Sequence, residues 1–120
     1  MTFNDNKSIY EQVTDYCYAH VISGEWSEGE RIPSTKDLAV QMGVNPRTVM
    51  KAYDLLAEEE VIFQRRGMGY YISEDARKKV LEARRRAFRE VFVPTLAQEL
   101  RELGISAEQL MHMLSDNNCF

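Results

Sequence analysis

The chain has 120 residues, 44% of them apolar and 28% charged, which suits one compact domain with a small extension and excludes a large multidomain enzyme. No stretch approaches the roughly 20 apolar residues that cross a bilayer, and the opening MTFNDNK lacks the basic-then-apolar layout of a secretory signal, so a cytoplasmic protein without membrane contact is expected. Fifteen Lys and Arg against 19 Asp and Glu give a net charge of −4, with 7 basic and 11 acidic residues through Ser73 and 8 of each from Glu74 onward; a polyanion binder is usually basic, so the placement of the few cations matters more than their sum.

Ile9, Val13, Cys17 and Val21 recur at helical spacing, flanked by Tyr10, Tyr16 and His20, and Gly24 stands where a carboxyl-terminal cap belongs. The following EWSEGERIP has no period and reads as a loop with Trp26 and Ile32 turned inward. Ser34, three residues before Asp37, opens a second helix as a variant capping box; Leu38, Ala39 and Met42 supply its apolar face and Gly43 ends it after about two turns. Asn45 is a good N-cap and Pro46 a good first residue for a third helix, whose Val49, Ala52, Tyr53 and Leu56 share one face and which runs to about Glu60. Two helices joined by so short a glycine-bearing turn form a helix-turn-helix pattern. VIFQR and YYIS, separated by Arg66, Gly67, Met68 and Gly69, then read as a β-hairpin. The expected fold is mainly α, an α+β winged helix over residues 1–73, followed by a small all-α segment over 74–120.

In order along the chain, Ile9, Tyr10 and Gln12, the loop Gly24, Gly29, Ile32, Pro33 and Ser34, then Leu38, Ala39, Gly43 and Val44, then Thr48, Val49, Ala52, Tyr53 and Leu56, and finally Arg66, Gly67 and Gly69 form a series. That series resembles the amino-terminal domain of the GntR family of bacterial transcription regulators, over Ser8 to Ile72. The resemblance implies a DNA-binding regulator. Two departures bear on its chemistry. Lys36 stands where the family commonly has Arg, which keeps a phosphate contact but loses a bidentate fork. The third helix opens with Asn45, Pro46 and Arg47, similar to the YtrA-like subfamily, and lacks the arginines that other branches carry at the positions of Pro46 and Met50.

Opposite the apolar face of the third helix lie Arg47, Met50, Lys51, Asp54 and Glu58, with the cations in the first turns, where such a helix approaches base edges. Arg47 is the expected base reader, since its fork matches the O6 and N7 acceptors of guanine. Lys51 suits a base or a phosphate, and Lys36, Asn45 and Thr48 are expected to position the backbone. Gln64, Arg65 and Arg66 suit phosphate or an adjacent minor groove, with Gly67 and Gly69 permitting close approach. If Asp5, Glu11, Asp15, Glu25, Glu28 and Glu30 lie away from this surface, the molecule is dipolar and its acidity is reconciled with a polyanionic partner.

The 47 residues after Ser73 are too few for the large effector domains of related regulators. Val80, Leu81, Phe88, Val91 and Phe92 form one helical stripe; Val93, Leu96, Ala97, Leu100 and Leu103 continue it on a face rotated by roughly 100°, with a kink or break expected at Pro94. Gly104 ends that helix, and Ser106 with Gln109 caps a last one carrying Ala107, Leu110, Met111 and Leu114. Two helices cannot bury both stripes alone. A homodimer through Phe88, Val91, Phe92, Leu96, Leu100, Leu103, Leu110 and Leu114 is expected, with partial packing onto the winged helix as the alternative. A two-fold pair would read an inverted repeat in double-stranded DNA, and the short two-helix dimerisation tail of the YtrA-like branch is similar to this layout. By the same resemblance such proteins often repress transporter operons, and a cleft between the tail helices is a place for an unidentified small-molecule effector. The run from Arg77 to Arg89, seven cations with Glu82, reads first as a wet helix face and alternatively as a track along the DNA backbone.

Other classes fare worse. The two histidines, His20 and His112, lie in different units, and no Ser-His-Asp order or phosphate-binding glycine loop is present, so neither catalysis nor a cofactor is expected. Cys17 and Cys119 are too few and too distant for a disulfide framework, and with the two histidines match no familiar zinc spacing. A winged helix used only for protein contact, without an operator, is the remaining alternative.

Overall fold

The first three helices each start at a polar side chain that accepts a backbone N–H. Ser8 accepts from Glu11 at the start of α1 (Ile9–Ser23), Ser34 from Asp37 at the start of α2 (Thr35–Met42), and Asn45 from Arg47 at the start of α3 (Pro46–Glu58). The turn between α2 and α3 depends on Gly43, whose φ of +67° lets its N–H turn back to the carbonyls of Ala39 and Val40. The computed structural model describes residues 7–118, so Asp5 and Cys119 of the sequence reading lie outside the described residues.

β1 (Ile62–Arg65) and β2 (Gly69–Ile72) pair antiparallel, with Ile62 opposite Ile72, Phe63 opposite Tyr71, Gln64 opposite Tyr70 and Arg65 opposite Gly69. The three residues between the strands close on a hydrogen bond from the Met68 N–H to the Arg65 carbonyl. On its other edge β2 bonds the loop before α2: the Gly29 N–H reaches the Ile72 carbonyl, the Ile72 N–H the Glu30 carbonyl, and the Ile32 N–H the Tyr70 carbonyl. Arg31 thereby faces Tyr71 in a one-residue antiparallel bridge. This mostly helical chain with a two-stranded sheet is a winged helix, as expected.

The chain divides after Ala83 into two compact units. The first unit's core joins Val13, Cys17 and Val21 of α1, Leu38 and Ala39 of α2, Val49, Ala52, Tyr53 and Leu56 of α3, and Val61, Ile62 and Ile72 of the hairpin. Trp26 and Ile32 do turn inward. α4 (Ala76–Ala87) contributes Ala76 and Val80, both buried. Val80 thus parts company with Phe88, Val91 and Phe92, with which helical spacing grouped it; those three are exposed. A periodic stripe says which residues share a face, not which neighbour covers each part of it.

In the second unit α4 runs into a π-helical turn, Phe88–Phe92, then α5 (Val93–Leu103) and, past Gly104, α6 (Ala107–Asp116). The expected interruption at Pro94 takes a specific form. Pro94 has no N–H for the Glu90 carbonyl; the Val93 N–H instead reaches five residues back to Phe88, and the Thr95 hydroxyl donates to the Val91 carbonyl at 2.8 Å. A π turn accommodates one extra residue, which turns everything downstream back by roughly 100° relative to an unbroken α-helix. That equals the offset between the two stripes, so Phe88, Val91 and Phe92 come into line with Leu96, Leu100 and Leu103. The capping box at α6 is complete, with both the Ser106 hydroxyl and the Gln109 side chain engaged.

Candidate nucleic-acid interface

α3 packs against α1, α2 and β1, so one side of it is committed to the core and the other is left outward. Val49, Ala52, Tyr53 and Leu56 are fully buried. Asn45, Arg47, Met50, Lys51, Asp54 and Glu58 are exposed and Thr48 is half-buried. The Asn45 Oδ1 accepts from the Arg47 N–H at 2.8 Å, which fixes the first turn while the Arg47 side chain stays free of any ion pair among the described residues. Lys51 is held differently: its Nζ lies 4.3 Å from the ring centre of Tyr10 on α1, a cation–π contact that parks the charge at the α1–α3 seam. Sequence spacing placed Lys51 on the outward face, but could not show this tether.

Lys36 is exposed in the first turn of α2. On the wing, side chains alternate. Ile62, Tyr70 and Ile72 share the face toward the core, where the Tyr70 ring meets that of Tyr53 at 5.0 Å, while Gln64, on the same side of the ladder but nearer the turn, is exposed. Phe63, Arg65 and Tyr71 share the outer face; the two rings stack at 5.8 Å, and the Arg65 guanidinium sits 5.0 Å from the centre of Tyr71 and 5.6 Å from that of Phe63. Arg66 and Gly67 are exposed at the turn and Gly69 is half-buried at the first position of β2. Gly67 and Gly69 both have positive φ, +75° and +93°, so the turn needs them whether or not anything binds there.

Four acidic residues of the first unit have local partners. Asp15 pairs with Lys7, Glu25 with His20, Glu28 accepts from the Asp75 N–H, and Glu30 accepts from both the N–H and hydroxyl of Ser27, which hold its carboxyl below the usual range. In the second unit Phe88, Val91, Phe92 and Leu103 are exposed, while Leu96, Leu100, Leu110 and Leu114 are half-buried. Phe88 and Phe92 stack on each other at 5.3 Å.

Residues 9–72, which span α1 through the wing, match the family described as bacterial regulatory proteins, gntR family. The chain belongs to the GntR family. Among its relatives along nearly the whole chain is YhcF of Bacillus subtilis, an HTH-type transcriptional regulator, 30% identical over 91% of this chain and 88% of its own length. YtrA of Bacillus subtilis, a transcriptional repressor, is 32% identical over 90% of this chain and 82% of its own. A GntR family transcriptional regulator from Listeria monocytogenes superposes with a TM-score of 0.72 and 31% identity, covering 95% of this chain and 98% of that one.

This GntR-family chain is therefore a DNA-binding transcriptional regulator and not an enzyme. Its Cys17 is fully buried, and burial pushes the thiol up to about 12. Both ring nitrogens of His20 are engaged, Nδ1 with the Tyr16 carbonyl at 2.8 Å and Nε2 with Glu25 at 2.9 Å. Neither side chain of the GntR regulator is poised to ligate a metal. No helix among the described residues is long and apolar enough to cross a membrane.

Proposed function

We propose that the protein is a cytoplasmic repressor that binds an inverted-repeat operator as a homodimer, reading bases with Arg47 from the first turn of α3 and steadying itself through Lys36, Asn45, Thr48, Lys51 and the wing residues Arg65, Arg66, Gly67 and Gly69. The observation that carries this reading is the capped, outward start of α3: its other face is buried, and Arg47 is exposed with no carboxylate partner among the described residues. A helix N-terminus also favours nearby phosphate through its dipole and free N–H groups. The acidic residues cluster later along the same helix, at Asp54 and Glu58, where a docked helix leaves the groove.

Self-association rests on the second unit. The π turn brings two apolar stripes onto one face, and Phe88, Val91, Phe92 and Leu103 on it are 55 to 69% exposed, a patch that favours burial against a second copy. The repressor activity recorded for the relative YtrA supports the sign of regulation; the tail helices of such a pair are where a small-molecule effector would bias the spacing of the two reading heads.

Footprinting on the region upstream of the protein's own gene tests the reading. A protected inverted repeat with half-sites about one duplex turn apart, or a multiple of it, is expected, lost in Arg47→Ala while nonspecific binding persists. Protection by wild type that Arg47→Ala leaves untouched removes α3 from the role assigned to it. Absence of any protected site favours a winged helix used for protein contact.

A further inference from the structure

We propose that Arg31, in the loop between α1 and α2, is a third cation of the wing tip and contacts a DNA phosphate beside Arg65 and Arg66. The proposal rests on the reading that the wing lies against duplex DNA. It begins from the bridge that sets Arg31 opposite Tyr71. Residues opposite one another in a ladder share a face, so Arg31 belongs to the outer face of the wing, with Tyr71, Phe63 and Arg65.

From there the side chain runs along β2 to Gly69. Its Nε, Nη2 and Cζ lie 3.1, 3.4 and 3.6 Å from the point a Gly69 Cβ would occupy. Gly69 is the partner of Arg65 in the last rung before the turn. A residue from a different part of the chain thus delivers its charge to the tip end of the hairpin, into space that exists because residue 69 has no side chain.

Two guanidinium groups now occupy one face of one rung, and Arg66 follows immediately. Among the described residues no carboxylate pairs with any of the three. Arg65 is restrained from swinging away by the stacked rings of Phe63 and Tyr71. Like charges held together without a counter-charge repel, and an anion with several acceptor oxygens relieves that repulsion. A backbone phosphate fits, because each planar fork can donate two parallel hydrogen bonds to its oxygens. A phosphate contact fixes register without reading sequence. Arg31 would therefore add affinity that is uniform across sites, unlike Arg47.

The test is a salt series of fluorescence anisotropy titrations with the full chain, on a duplex of the gene's upstream region and on a scrambled duplex of equal length and composition. Arg31→Gln keeps a polar, hydrogen-bonding side chain, though a shorter one, and removes the charge; Arg31→Lys keeps the charge at nearly full length. For Arg31→Gln the slope of log K against log salt is expected to fall by about one unit on both duplexes, with Arg31→Lys recovering most of it. An unchanged slope in Arg31→Gln, with a melting temperature equal to or below wild type, overturns the proposal and leaves Arg31 a structural brace. A loss confined to the upstream duplex overturns it in favour of base reading. Failure of wild type to bind either duplex removes the DNA reading and this proposal together.

Discussion

The Tyr53 hydroxyl donates to the Pro33 carbonyl at 2.7 Å, joining the middle of α3 to the loop that precedes α2. Tyr53 is fully buried, so the bond fastens the outward helix to that loop and lies one residue from Ile32, whose N–H is bonded to the wing. Tyr53→Phe keeps the ring and leaves the carbonyl without this donor. A loss of about 1–2 kcal/mol is expected, within the usual range for a buried polar group deprived of its partner, read as a lower midpoint in urea denaturation with an unchanged slope. A midpoint equal to wild type would mean that the tie contributes nothing.

Gly43 offers a cleaner backbone test. A Cβ there would meet open space within 4 Å, yet φ is +67°, so Gly43→Ala isolates the conformational penalty from any clash. About 1 kcal/mol of destabilisation is expected, and Gly43→Asn, which tolerates the left-handed region better, is expected to lose less. Equal stability of the alanine variant in thermal melts contradicts the assignment.

Alkali should weaken the first unit. Burial raises the pKa of Cys17 from 9.0 to about 12, and burial likewise raises Tyr53 and, joined by the bonded Glu59, Tyr18, both from 10.0. These groups hold their protons more tightly when folded, so their contribution is fully present below the unfolded values and is lost as pH rises above them. Each contributes a slope approaching about 1.4 kcal/mol per pH unit between its unfolded and folded values. Urea titrations at stepped pH should show stability declining from near pH 9 upward, less steeply in Tyr18→Phe. A curve that stays level to about pH 11 rules this out.

The exposed ring pair of the second unit gives the oligomer test. Phe88→Ser with Phe92→Ser removes two stacked, outward rings without touching the buried core of the first unit. Sedimentation equilibrium is expected to show wild type as a dimer and the double variant shifted to monomer, while hydrogen exchange in α1 and α3 stays as it was. A monomeric wild type at concentrations well above those used for DNA titration ends the pairing hypothesis.

Helix ends and the wing were legible in the sequence because they are written in short-range chemistry: Ser34, Gly43, Asn45, Pro46, Gly104 and the Ser106–Gln109 box all act within four residues. What was hidden depends on contacts distant along the chain. Arg31 looked like an ordinary loop residue until its bridge to Tyr71 brought it to the wing. Lys51 was placed on the correct face, but its lodging over Tyr10 needs the packing of α1 on α3. Val80 was grouped with the tail by period alone, although a different neighbour buries it. The rotated stripe at Pro94 was a visible signal whose meaning, a π turn, emerged only with the backbone bonds.

That turn behaves like an absorbed insertion. Excising Glu90 and exchanging Pro94 for Ala would allow a plain α-helix through the region, and every apolar side chain beyond it would keep the azimuth it has now. The surplus residue and the proline are thus mutually dependent: either one removed alone leaves the downstream helix wound out of phase or a ring pressed against a carbonyl, whereas the two removed together leave the apolar stripe in line.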